Sequence, residues 1–165
     1  MTVHHATVRV HSDLHKPQFH DVTADAKAAV AASGVRNGIC TVYSQHTTCS
    51  VLLQEESMDQ TLDGVEFLLQ DMVNWMSGLI PQCRHEGQYL HPGPKHLAYA
   101  EGQGEQGWWS LNTDAHLRSV ILGRSETIPV LDGALELGEF GRVYFADFDA
   151  MRQRDRTCHF MIVGD

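Results

Sequence analysis

The chain has 165 residues, a length that favours one domain with an adequate core. Its hydrophobic fraction of 42% and charged fraction of 20% are those of an ordinary globular protein, not of a disordered or fibrous one. The formal net charge of -9 repels phosphate backbones and anionic bilayers, which argues against nucleic acid and membrane as partners, and no apolar stretch is long enough to span a bilayer.

Ala6, Val8 and Val10 alternate with Thr7, Arg9 and His11, the period of a half-buried strand. Asp21-Val22-Thr23 then offers a helix N-cap, Ala24 to Ala32 is alanine-rich, and Gly34 is a stop signal. Gly38 opens a second β region. Ile39 to Tyr43 and Ser50 to Leu53 are β-branched and apolar, and they flank Ser44-Gln45-His46-Thr47-Thr48, which places His46 near the junction of two strands. Met58, Leu62, Val65, Leu69, Met72, Met76 and Leu79 step by four and three residues. That stripe can serve as a coiled-coil seam, but a long amphipathic helix from Met58 to Leu79 covering a sheet is the stronger reading. Residues 81 to 113 read as one long irregular region, a lid or an insertion, broken by Pro92-Gly93-Pro94, Gly102, Gly104 and Gly107. It carries Cys83, His85, His91 and His96 and ends at Trp108-Trp109. Beyond His116 the β character returns in Ser125 to Val130, Leu135 to Leu137, Arg142 to Phe148 and Thr157 to Val163, with Asp132-Gly133 as a tight hairpin turn. The expected class is α+β: largely antiparallel sheet layers, one long amphipathic helix and shorter helices, in a single compact domain spanning 1–165.

Cys40, Cys49, Cys83 and Cys158 form no C-x-x-C pair, and no apolar leader precedes a cleavage site. A cytoplasmic protein with reduced thiols is expected.

The chemistry-bearing residues are histidines beside small polar neighbours: His46, His91 and His116. A neutral imidazole binds a metal or moves a proton near neutral pH. Three imidazoles suit a zinc-like divalent ion and leave positions open, although none of the three sits at a helical i, i+4 metal spacing. Glu55 and Glu56 end a strand, so at most one of them faces a site containing His46, as general base, ligand or orienting partner. The alternative is that such carboxylates complement the dipole of the following helix. Asp114 is placed to cap a short helix that carries His116. Arg152, Arg154 and Arg156 form either an anion clamp or a solvated alternating run. Gly123 and Ser125 form a weak anion signal, since neither a P-loop nor a G-x-S-x-G elbow occurs.

These residues sit in a longer pattern. Asn37-Gly38, Gln45-His46-Thr47-Thr48, Glu55, Tyr89-Leu90-His91, Asn112-Thr113-Asp114-Ala115-His116-Leu117, Leu122-Gly123-Arg124-Ser125, Ile128-Pro129-Val130, Asp132-Gly133, Leu137-Gly138 and Asp149 stand in order. The chain thereby resembles the YjbQ-like family, also called secondary thiamine-phosphate synthase enzymes. The resemblance implies a compact α+β fold, a homotrimer, and a site near subunit contacts that contains the motif histidines, often with a bound metal. It also implies transfer of a pyrimidine diphosphate onto a thiazole phosphate with release of diphosphate. In that reading His46, His91 and His116 hold a divalent metal, zinc-like by its ligands or magnesium by its substrate. Glu55 and His116 are catalytic, and Ser125, Arg152 and Arg154 hold a small phosphorylated substrate. A metal-assisted hydrolase and a non-enzymatic trimeric metal- or ligand-binding module are the alternatives. Three departures from the family pattern stand out: Glu139-Phe140-Gly141 where a Trp-Gln pair is usual, Ala150-Met151-Arg152 where Gly-Pro-Arg is usual, and a longer stretch before His116. That longer stretch makes His85 and His96 alternative third ligands.

Overall fold

The computed structural model describes residues 1–165 as an α+β fold. Its strands are β1 (Thr2–Ser12), β2 (Gln18–Asp21), β3 (Gly38–Ser44), β4 (Cys49–Glu55), β5 (Ser125–Leu131), β6 (Ala134–Leu135), β7 (Gly141–Asp147) and β8 (Arg154–Gly164). Its helices are α1 (Thr23–Ser33), α2 (Phe67–Leu79), α3 (Pro94–Gly102) and α4 (Thr113–Leu122). One sheet has the order β1-β8-β3-β5-β6 and a second the order β2-β7-β4, and every pairing is antiparallel.

The period of two explains how the sheets face each other. Cys40 and Val42 of β3, Ile128 and Val130 of β5, and Cys158, Phe160 and Ile162 of β8 point inward from the first sheet. Cys49 and Val51 of β4 and Val143 and Phe145 of β7 meet them from the second, and Ala26, Ala29 and Val30 of α1 close the same core. The opposite face of the second sheet carries Leu52, Tyr144 and Ala146, which pack with Phe148 against Leu69 and Met76 of α2 and Ala115 of α4. β7 is thus covered on both faces, and its sequence is an unbroken buried run from Val143 to Asp147. Two glycines are fixed by this packing. At Gly38 an added Cβ would lie 2.2 Å from the Val163 carbonyl oxygen. At Gly133 φ is 83°, with Asp132 at 50°, as a two-residue hairpin between β5 and β6 requires.

α1 starts and stops where its signals stand: the Asp21 carboxylate accepts the Thr23 N–H, and Gly34 is left-handed. The helix expected from Met58 begins instead at Phe67. Within the expected span, Gly64 adopts φ 77°, and Thr61 and Val65 close a turn on each other through two hydrogen bonds. The Glu66 carboxylate then takes the Ser57 N–H and the Tyr144 hydroxyl, which fixes the segment as an ordered turn. Met58 and Leu62 are consequently exposed, and only Leu69 and Met76 of the stripe are buried. The region 81–113 also departs from expectation. Pro94 opens α3 at a first-turn position that needs no N–H, and Gly107–Ser110 forms a 3₁₀ turn. Short strand β2 had no clear alternation and was not anticipated.

A polar cavity between the two sheets and helix α4

The inward faces of β7 and β8 change character at one end of the sandwich. On β8 the buried row Ile162, Phe160, Cys158 continues as Arg156 and Arg154. On β7 the row Val143, Phe145 continues as Asp147, with Asp149 just beyond. The charged ends meet. Arg156 Nε donates to Asp147 Oδ2 at 2.6 Å, and Nη2 donates to Asp147 Oδ1 at 3.2 Å and to Thr48 Oγ1 at 3.1 Å. Both side chains of this bidentate pair are almost fully buried. A cavity of about 340 Å³ opens above it.

The cavity wall combines the β3–β4 loop (Gln45, His46, Thr47, Thr48), His96 of α3, the segment Glu105–Asn112, His116 of α4, and Asp149 with the three arginines. Asp149 accepts from Asn112 Nδ2 at 3.3 Å and from the Met151 N–H. Burial nonetheless raises the Asp149 carboxyl above the ordinary range, because desolvation outweighs those hydrogen bonds. Arg154 Nε lies 3.7 Å from Asp149, without a hydrogen bond. Arg152 donates to Glu105 at 2.9 Å while its guanidinium lies 4.7 Å over the Trp109 ring, so its fork is clamped from two sides.

The histidines divide into two kinds. His46 Nε2 accepts the Thr157 N–H at 2.9 Å, which places the neutral ring's proton on Nδ1. Burial and then the charge of Arg156 hold its pKa below the usual histidine value. His116 faces the Thr47 carbonyl through Nδ1 at 3.2 Å. Donation there leaves Nε2 with a free lone pair. His91 stands edge-on to both His116 and His96, with ring centroids at 5.7 and 4.5 Å, and its Nε2 is buried without a partner. Burial, followed by the two neighbouring imidazoles, lowers its pKa.

The expected metal set is corrected by this geometry. The one lone pair of His46 is spent on a backbone amide, and no group of three or more His, Cys, Asp or Glu side chains is arranged to hold a metal ion. Neither a zinc-like ion nor magnesium therefore fits His46, His91 and His116 as a donor set. Two further assignments are corrected. Glu55 ends β4 and lines a separate groove with Met58, Phe67 and Phe140. Ser125 opens β5 opposite Tyr43 and does not line the cavity. Arg152 and Arg154 do line it. Asp114 does not cap α4, whose N-cap is Asn112; its carboxylate instead accepts the Cys83 N–H and faces Arg118 at 3.6 Å inside the protein.

Asp147, Glu105 and Trp109 were not singled out as site residues, whereas Arg156 was named in the arginine run and His96 only as an alternative metal ligand; both line the cavity. The signal for Asp147 was present in the alternation itself, since the buried face of β7 runs straight into a charged residue. Asp149 was visible only as a motif position, and no local pattern marks Glu105.

A family model described as UPF0047 protein YjbQ-like matches residues 6–165, and the chain belongs to that family. It is 30% identical over 134 residues to a UPF0047 protein of Methanothermobacter thermautotrophicus, covering 81% of this chain and 76% of the relative. Over 150 residues it is 30% identical to one of Methanocaldococcus jannaschii, covering 91% and 88%. Among solved structures, a hypothetical protein of Aeropyrum pernix superposes with a TM-score of 0.69 at 26% identity, covering 97% of this chain and 99% of that one. A YbjQ-like protein of unknown function from Sulfolobus solfataricus gives 0.72 at 20% identity over 99% of each chain, a likeness of fold alone. The curated relatives carry the family designation and no reaction. That overturns the function implied by the resemblance, a metal-binding enzyme that forms thiamine phosphate with release of diphosphate. The hydrolase and metal-module alternatives rested on the same donor set and are withdrawn with it.

Proposed function

We propose that the cavity binds a small polar molecule through an oxyanion, a phosphate group above all, and that His116 exchanges a proton with it. The observation that carries this reading is the pair of arginines on the cavity wall whose Nε atoms are buried without a partner, Arg152 and Arg154. A buried N–H left unpaired costs stability, and an oxyanion accepts from guanidinium groups in a fitting geometry. His116 Nε2 is the basic lone pair on the same wall, and Asn112, Ser110 and Thr47 supply neutral hydrogen-bonding groups around it. The chemistry is general acid–base catalysis by imidazole, with arginines stabilising negative charge.

The test is a panel of small phosphorylated compounds assayed for ligand-induced thermal stabilisation and for turnover, with wild type beside His116→Gln. The reading expects a compound that stabilises both proteins and is turned over only by wild type. Equal turnover by both removes His116 from the chemistry. No stabilisation by any phosphorylated compound removes the anion site.

A homotrimer is part of the same proposal. It is supported by Ile39, Tyr43 and Met161, which stay exposed on the outer face of the first sheet, and sedimentation tests it. A cytoplasmic location is supported by four buried free cysteines; no helix is long and apolar enough to cross a membrane.

A further inference from the structure

On the far side of the second sheet a groove of about 460 Å³ runs between the end of β4 and the start of α2. Its floor is Met58, Phe67, Leu68 and Phe140, all substantially exposed. Glu55 and Asp71 stand on its rim, and neither forms an ion pair, whereas Glu56 is held by Arg142. The groove continues along α2. Leu68, Trp75 and Leu79 follow at seven and four residues, which places them on one outward stripe with Asp71 beside it. α2 contains no basic residue. From Leu68 to Leu79 this apolar stripe is about 16 Å long at 1.5 Å per residue, with Asp71 as the charged residue of α2, and it is a surface for an elongated partner.

We infer that this groove and the α2 stripe dock an amphipathic helical segment of another protein that carries lysine or arginine beside its apolar residues. The two unpaired carboxylates select the charge of the occupant, and the aromatic floor accepts its apolar face. A second copy of this chain is the poorer fit. The homotrimer proposed above is placed on the outer face of the first sheet, on the opposite side of the molecule from α2, and chains of net charge -9 each repel one another at an acidic groove.

The experiment is titration of the isotope-labelled full chain, followed by amide NMR shifts, with a synthetic helical peptide of leucine and lysine and with its leucine–glutamate counterpart. The expected shifts fall on residues 55–58, 67–79 and 140 and appear with the lysine peptide alone. In the double variant Glu55→Lys, Asp71→Lys the lysine peptide binds about tenfold more weakly and the glutamate peptide gains, the direction expected when exposed charge pairs turn from attraction to repulsion. Circular dichroism melts check that the variant keeps its fold; should it not, Asp71→Asn alone is expected to weaken the lysine peptide. Equal binding of both peptides, shifts spread over the whole surface, no shifts at all, or a concentration-dependent dimer lost on Trp75→Ser would each overturn the inference.

Discussion

Replacing Asp147 by alanine tests whether the cavity floor is held by one buried ion pair. The substitution removes both carboxylate oxygens that receive Arg156 and the oxygen that accepts the Asp149 N–H. Arg156 is then left in a site 5% exposed, with Thr48 Oγ1 as a hydrogen-bond partner and Asp149 at 3.7 Å. Breaking a buried pair from one side costs about 3–5 kcal/mol, because the remaining charge stays desolvated. The nearby Asp149 carboxylate offsets part of that cost, so a loss of about 3 kcal/mol is expected. With a urea slope of roughly 1–3 kcal/mol/M, the unfolding midpoint should fall by about 1–3 M. Asp147→Asn keeps the shape and one oxygen acceptor and should lose less. A loss below about 1 kcal/mol for the alanine variant would mean that Arg156 reaches solvent or re-pairs, and the floor would not depend on this pair.

Two other outcomes follow from the packing and the burial of titratable groups. Leu69→Ala removes a side chain 2% exposed between α2 and the second sheet, and should cost roughly 2–5 kcal/mol in denaturant unfolding; a smaller change would place the stripe at the surface. His91 has a folded pKa below the ordinary 6.5, so the unfolded chain binds the proton more readily. Its contribution to stability is therefore present above pH 6.5 and is lost as pH falls through the folded value. Urea midpoints measured between pH 5 and 8 should fall less steeply on acidification in His91→Gln than in wild type, and identical slopes would refute the assignment.

Much of the fold was legible because its strands obey a period of two and its turns carry Gly34 and Asp132-Gly133. The start of α2 was not, because Val65 and Leu62 continue a helical spacing through a segment that Thr61, Gly64 and Glu66 fold into a turn. Of the site, His46, His116, Arg152 and Arg154 were legible as polar residues at strand and helix ends, and they share one cavity. The metal assignment failed on a feature no spacing reveals: His46 Nε2 spends its lone pair on Thr157, a residue 111 positions away in the chain. Glu55 was misplaced because a strand end has two sides, and only the tertiary packing of β4 against β7 sends this one to the α2 groove.

The proposed anion site rests on Arg152 and Arg154, whose Nε atoms are buried without a hydrogen-bond partner. Calorimetric titration of inorganic phosphate into wild type and Arg154→Ala tests it most directly. Saturable binding of one phosphate per chain to wild type is expected, with loss of that binding in the variant, which stays folded because Arg154 makes no hydrogen bond through Nε in the free protein. Absence of binding to wild type, or the same affinity in both proteins, would contradict it.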